Sequence, residues 1–459
     1  MEREKFSSRL GFLLLSAGCA IGVGNVWRFP YVVGQHGGGF FVLFYLLFLV
    51  AVGLPILTME LAVGRASRQS IIREFKALEP KGSKWHWYSP FGMAGNYVLM
   101  MFYTTVSGWM LAYFFKHAAG AFTGLDTRQV EAAFGDMLAQ PGPQLGWMLL
   151  VVAAGFLVCA QGLQKGVERI SKWMMLALLV LILVLAVHSL LLPGGGEGLR
   201  FYLLPDWARL REAGLLNTIV AAMNQSFFTL SLGIGAMAIF GSYLGRERSL
   251  MGESVRIAAL DTFVAVSAGL IIFPACFSFG ISPDSGPNLI FITLPNVFNG
   301  MAGGRLWGSL FFLFMSFAAF STVLAVFENI LSCCMDAWHI SRKKAAAINF
   351  VVVALLSVPC VLGYNLWSGF QPLGAGSAVL DLEDFVVSTL LLPIGSLVYL
   401  LFCTSRFGWG FRACCDEANT GKGLRLPKWL RVYLAWVLPI LVLVLLGQGL
   451  WAAAVKLWG

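Results

Sequence analysis

Ten polar side chains fall inside long apolar stretches of this chain: Asn25, Arg28, Glu60, Gln225, Thr229, Asp261, Ser321, Thr322, Glu328 and Asp384. Such groups are costly in hydrocarbon, so they line a pathway or pair internally. Asn25, Thr229, Ser321 and Thr322 offer neutral oxygens that a hard cation such as Na⁺ accepts in place of water. Two glycine-rich runs accompany them, Gly18-Cys19-Ala20-Ile21-Gly22-Val23-Gly24-Asn25 and Ser231-Leu232-Gly233-Ile234-Gly235. Each interrupts an apolar segment about midway, where glycine weakens a helix by roughly 1 kcal/mol relative to alanine. A broken helix presents carbonyl oxygens at one half-helix end and amide donors at the other. The first suits a cation and the second a carboxylate. Backbone opened at membrane depth is tolerated only where protein or a water-filled cavity covers it. Two such breaks in matching positions of two halves predict a secondary transporter with its site at the bilayer midplane.

The elements that must hold these groups are written in the hydropathy. Of 459 residues, 58% are hydrophobic and 12% charged, against about a quarter charged in soluble domains. Apolar stretches bounded by charge predict helices near 11–35, 39–65, 88–115, 145–161, 173–192, 217–243, 255–280, 305–335, 345–363, 375–402 and 430–456. About 20 apolar residues cross a bilayer, so the chain reads as an all-α polytopic membrane protein with eleven spans. The breaks lie in spans 1 and 6, which start in opposite directions, as an inverted 5+5 repeat requires. The first repeat covers about 11–192, the second about 217–402, and the helix near 430–456 is extra. All 1–459 form a single domain.

The net charge of +9 gathers in alternate loops, around Arg3 to Arg9, Arg65 to Lys84, Lys165 to Lys172, Arg246 to Arg256, Arg342 to Lys344 and Arg406 to Arg431. Positive loops stay cytoplasmic, which predicts a cytoplasmic N-terminus and an external C-terminus. No aromatic-interleaved basic patch speaks for nucleic acid. The segments 116–144, 193–216 and 281–304 are the long outside loops, the last expected to form a cap, and 403–429 is polar and basic. The nine cysteines include the pairs Cys333-Cys334 and Cys414-Cys415, without CxxC or His/Cys spacing, and read as reduced apolar residues. Neither G-x-G continues into a dinucleotide fingerprint, Gly421-Lys422-Gly423 lacks the Ser/Thr of a phosphate loop, and no G-x-S-x-G is present. No enzyme is expected.

Arg9-Leu10-Gly11, the run from Gly18 to Pro30 and Gly37-Gly38-Gly39 resemble the opening of the neurotransmitter:sodium symporters. Gln225 to Gly233, Gly166 to Arg169 and Phe291 to Pro295 resemble later parts of the same family, in order along nearly the whole chain. The resemblance implies the LeuT-type fold and, from the eleven-span form, a bacterial plasma-membrane member. It implies two sodium sites. The first would use the Ala20 carbonyl, Asn25, Thr229 and Asp261, completed by the substrate carboxylate. The second would use the Gly18, Ile21 and Ala318 carbonyls with Ser321 and Thr322; without the motif, these hydroxyls would be expected to bond back to their own helix. The implied substrate pocket comprises Cys19, Gly22, Gly24, Leu99, Tyr103, Phe228, Ser231, Ile234, Thr322 and Val326. Tyr103 would donate to a carboxylate and Phe228 would close over it. Arg28 with Asp384 would form an outer gate, and Arg3 with Asp336 an inner latch near Tyr243.

Monoamine-carrying relatives have an aspartate where this chain has Gly22, so the ligand here should bring its own carboxylate, as an amino acid does. The uncharged wall favours a neutral, hydrophobic side chain. Carriers of GABA, taurine or betaine-like osmolytes also have glycine there and stand as the alternative, beside a non-transporting sensor or a leak channel. Chloride-dependent relatives tend to have asparagine at the Asp261 position and serine at that of Ala265. Asp261 thus predicts chloride-independent uptake, and also that this carboxylate takes a proton on the return step. Glu60 and Glu328 are expected to accept hydrogen bonds from the unwound segments.

Overall fold

The computed structural model describes residues 4–280 and 289–458. Nine helices among these are long and apolar enough to span a bilayer: Gly39–Ser67, Trp85–Ala118, Pro141–Ala160, Leu163–Leu190, Leu250–Ser278, Gly304–Trp338, Arg342–Leu362, Val379–Thr404 and Lys428–Val455. Arg9–Ala20 and Gly24–Gln35 join into a further crossing, bent by 55° at the break. Leu215–Thr229 and Ala236–Ser242, separated by six residues, make up the remaining one. In chain order these are spans 1 to 11, with spans 1 and 6 broken. No β-strand occurs among the described residues.

Several spans begin earlier than the apolar stretches suggest. Span 5 starts at Leu163 and span 9 at Arg342, because Lys165, Arg169 and Lys343 occupy first turns, where long basic side chains reach water from a helix end. The outside segments carry helices of their own, Thr127–Ala139, Gly195–Leu203, Trp207–Ala213 and Leu294–Gly300. Pro283, Gly286 and Pro287, on which the expected cap partly rests, lie outside the described residues. At the opposite, basic end, Ile71–Leu78 and Phe411–Ala418 run between spans.

Spans 3 and 8 form the centre: 72% of the most apolar stretch of each is buried, against 28% for span 11 and 33% for span 5. Span 8 packs along span 3 and the first half of span 1, so Ser321 and Thr322 arrive beside Gly18. The second half of span 6 lies against span 2 through glycines. A β-carbon on Gly64 would stand 1.8 Å from the Ala238 carbonyl oxygen, and one on Gly241 2.4 Å from that of Leu61. Small residues let helix backbones touch in this way. Span 10 carries a π-helical turn at Phe385–Leu391, a form that often marks functional positions.

Candidate functional site

Span 1 opens after Ala20. Ile21 takes extended ψ (98°), and its N–H still bonds the Ala17 carbonyl at 2.6 Å, after which a π-helical turn begins at Gly24. Span 6 opens after Thr229, where Ser231, Gly233 and Gly235 hold φ of 49°, 96° and 73°. The left-handed region costs a serine more than a glycine, and Ser231 is held there by flanking contacts. Glu60, fully buried on span 2, accepts from the N–H groups of Gly233 (2.9 Å) and Met237 (3.1 Å). Tyr88 donates to the Gly233 carbonyl at 2.9 Å, while Asn96 and Asn329 donate to that of Ile234 at 2.9 and 3.3 Å. The opened peptide groups of span 6 thus find partners inside the protein, as membrane depth demands. Glu328 does not share this task, contrary to expectation: it accepts from Tyr243 at 2.8 Å and from Arg342 at 2.6 Å. Helix register turns it away from the Ile234 carbonyl that its neighbour Asn329 reaches and towards Tyr243 and Arg342.

The five groups expected at the second ion site converge. Ser321 Oγ lies 3.0, 3.4 and 2.8 Å from the carbonyl oxygens of Gly18, Ile21 and Ala318. Thr322 Oγ1 lies 3.2, 3.5 and 3.3 Å from those of Gly18, Cys19 and Ile21. Each hydroxyl has one proton to give, so these approaches crowd more lone pairs together than two protons can bridge. A small cation resolves that crowding by taking the lone pairs directly, and the all-oxygen neutral donor set suits a hard one.

At the other expected ion site, Asn25 Nδ2 donates to Asp261 Oδ1 at 2.7 Å and Thr229 donates to Asp261 Oδ2 at 2.8 Å. All three are buried. Tyr45, absent from the sequence reading, adds its hydroxyl 3.5 Å from Asp261 Oδ2. Gln225 donates to the Gly24 carbonyl at 3.3 Å, leaving its buried Oε1 without a partner. Ala20 lines the adjoining cavity together with Asn25.

That cavity is lined by Cys19, Gly22, Gly24, Leu99, Tyr103, Phe228, Ser231 and Thr322, and its free space is about 20 Å³, of the order of one or two waters. It is a contracted pocket, which a ligand larger than this must widen. Ile234 and Val326, expected in its wall, do not line it: both are fully buried in packing, Ile234 against Gly95. Val387 and Leu392 of span 10 take that place. The Val23 N–H donates to the Tyr103 hydroxyl at 2.9 Å. A β-carbon on Gly22 would stand 2.2 Å from that hydroxyl and 2.7 Å from Thr322 Oγ1.

Above the cavity, the Arg28 guanidinium sits 4.3 Å from the Phe228 ring centroid. Arg28 and Asp384 form no ion pair among the described residues; Asp384 instead accepts from Ser388 at 2.6 Å. At the basic end the closure is extensive. Arg342 bonds Glu328 through both terminal nitrogens (2.6 and 3.0 Å) and reaches Glu4 at 2.9 Å. Tyr243 lies 2.6 Å from Ser332 Oγ, and Asp336 accepts from the Ser70 N–H and hydroxyl at 2.8 and 2.6 Å. Arg3, the expected partner of Asp336, lies outside the described residues. Ser7 and Ser8 bond Glu168, and Arg9 bonds Glu253.

Comparison with known proteins decides the family. The model of the sodium:neurotransmitter symporter family matches residues 3–125 and 127–456. The chain belongs to this family. It is 36% identical to an uncharacterized sodium-dependent transporter, YhdH, of Bacillus subtilis, over 87% of each chain. An uncharacterized sodium-dependent transporter of Methanocaldococcus jannaschii is 30% identical over 96% of this chain and 89% of its own. The sodium-dependent serotonin transporter of Drosophila melanogaster is 27% identical over 82% and 68%. Among solved structures, MhsT in complex with L-phenylalanine superposes with a TM-score of 0.87 at 35% identity, covering 97% of this chain and all of that one. The symporter has the LeuT-type fold, a helical membrane protein with spans 1 and 6 broken.

Proposed function

We propose that this symporter imports a neutral, hydrophobic amino acid by coupling it to sodium, without chloride, across a bacterial plasma membrane with the basic loops on the cytoplasmic side. The observation that carries the reading is the crowding of the Gly18, Ile21 and Ala318 carbonyls around Ser321 and Thr322. It is the arrangement a sodium ion stabilises. The apolar wall of Leu99, Val387 and Leu392 supports the substrate class, as does the phenylalanine bound to MhsT. Sodium would order the opened span 1, and a substrate carboxylate near Ala20, Asn25 and Thr229 would complete the other ion shell beside Asp261. Each ligand then favours the other reciprocally. Phe228 and Arg28 would close over the pair, and release of the Arg342–Glu328 closure would open the basic end.

Proteoliposomes with an imposed sodium gradient test this. Concentrative uptake of labelled leucine or phenylalanine is expected with sodium and not with choline, unchanged when gluconate replaces chloride. Competition by taurine or betaine in place of amino acids would overturn the substrate class. Ligand binding without uptake would make the protein a sensor.

A further inference from the structure

A second cavity lies at the basic end, between the end of span 10 and the start of span 11. It measures about 520 Å³ and is lined by Ser405, Arg406, Trp409, Arg412, Asp416 and Arg431, among others. Its chemistry is lopsided. Arg406 rests over the Phe407 ring at 4.7 Å, and no carboxylate of the described residues pairs with it or with Arg431. Arg412 Nε is 4.0 Å from Asp416 Oδ2, but both side chains are largely exposed, which makes the pair weak. Ser405 Oγ is buried and has no hydrogen-bond partner. Three arginines and an unmet hydroxyl therefore line the cavity beside one carboxylate. That set fits an anion with several acceptor oxygens, for which the planar fork of arginine is suited.

The surroundings indicate where the anion comes from. Phe407, Trp429, Val432 and Trp436 beside the cavity are each 66–77% exposed. Positions 429, 432 and 436 share one face of the start of span 11, the least buried of the nine unbroken spans. Tryptophan concentrates at the headgroup level of a bilayer. The apolar strip therefore continues the cavity towards the acyl-chain region.

We propose that this cavity binds the phosphodiester headgroup of an anionic phospholipid, with its chains laid along span 11. The lipid would bridge spans 10 and 11 through Arg406 and Arg431, with Ser405 donating to a phosphate oxygen. This is separate from the transport site and stands whatever the substrate is.

Native mass spectrometry of the detergent-purified full chain, titrated with phosphatidylglycerol and separately with phosphatidylcholine, provides the test. Phosphatidylglycerol is expected to bind at least about tenfold more tightly. The double variant Arg406→Gln/Arg431→Gln is expected to abolish that preference. Removing equal charge from exposed positions, Lys343→Gln/Lys344→Gln, should leave it intact. Equal binding of the two lipids by the wild-type protein overturns the proposal, and that comparison needs no variant to fold. Loss of the preference in the lysine control also overturns it, since general charge would then explain the binding. Displacement of phosphatidylglycerol by inorganic phosphate would assign the cavity to a soluble anion instead.

Discussion

At the scale of single residues, Gly22 and Ser321 make opposite demands on the site. Gly22 is there for what it lacks, since any β-carbon would collide with Tyr103 and Thr322. Gly22→Ala is expected to abolish substrate binding, measured by scintillation proximity, while thermal stability stays near wild type because the clash falls on a cavity wall. Ser321 is there for its oxygen. Ser321→Ala removes one ligand and leaves the Gly18 and Ala318 carbonyls facing apolar carbon; a hydrogen bond to a charged group is worth about 1.5–3 kcal/mol. The sodium concentration for half-maximal uptake should therefore rise on the order of tenfold to a hundredfold, and a variant with unchanged sodium dependence would remove Ser321 from the ion shell. Both residues were legible in the sequence as a glycine run and a Ser-Thr pair inside apolar segments, but their roles came from the family resemblance, since a hydroxyl there would otherwise be expected to bond back to its own helix. Tyr45, Val387 and Leu392 were not legible. A tyrosine or leucine in a chain that is 58% hydrophobic carries no signal of facing a cavity rather than a neighbour.

At the scale of elements, the broken helices were readable because closely spaced glycines, which singly serve helix packing as well, recur in matching positions of the two halves. How the breaks are held was only half readable. Glu60 does what its buried position implied, clamping the Gly233 and Met237 amides. Glu328 does not, because helix register places it beside Arg342, a residue whose sequence context reads as an ordinary basic loop. A glutamine at position 60 can accept from one of the two amides but presents an NH₂ group to the other. Glu60→Gln should thus destabilise the protein by about 1–3 kcal/mol, seen as a lower melting temperature in detergent with transport reduced in parallel. An unaltered melting temperature would mean that the clamp is dispensable.

At the scale of the whole molecule, the two ends are fastened differently. The basic end is shut by Arg342, Glu328, Tyr243 and the N-terminal segment, whereas Arg28 and Asp384 at the other end are not paired. The resemblance named the gate pairs Arg28–Asp384 and Arg3–Asp336 but not the Arg342–Glu328 closure, whose partners are brought together by helix register and leave no motif to read. Breaking a buried ion pair from one side leaves an uncompensated charge, so Arg342→Gln should loosen the basic end. Cys19, fully buried in the cavity wall, then becomes a reporter. Its alkylation in inside-out vesicles, followed by peptide mass mapping, is expected to rise several-fold in the variant and to fall again when sodium replaces choline. Labelling that stays at the wild-type level would place the seal elsewhere.

The grip on span 6 has a mechanical corollary. Glu60, Tyr88, Asn96 and Asn329 reach its opened stretch from spans 2, 3 and 8, so that joint behaves as a weld. The matching stretch of span 1 is held by Tyr103 at Val23, by Gln225 at Gly24 and by the Ser321 and Thr322 hydroxyls at Ile21, groups proposed to meet the ion and the cargo, and its lower arm carries the N-terminal segment with it. Under the proposed alternating access, the hinge of span 1 would fall at Ile21–Val23, with Arg9–Ala20 as the arm that swings once the cargo is gone.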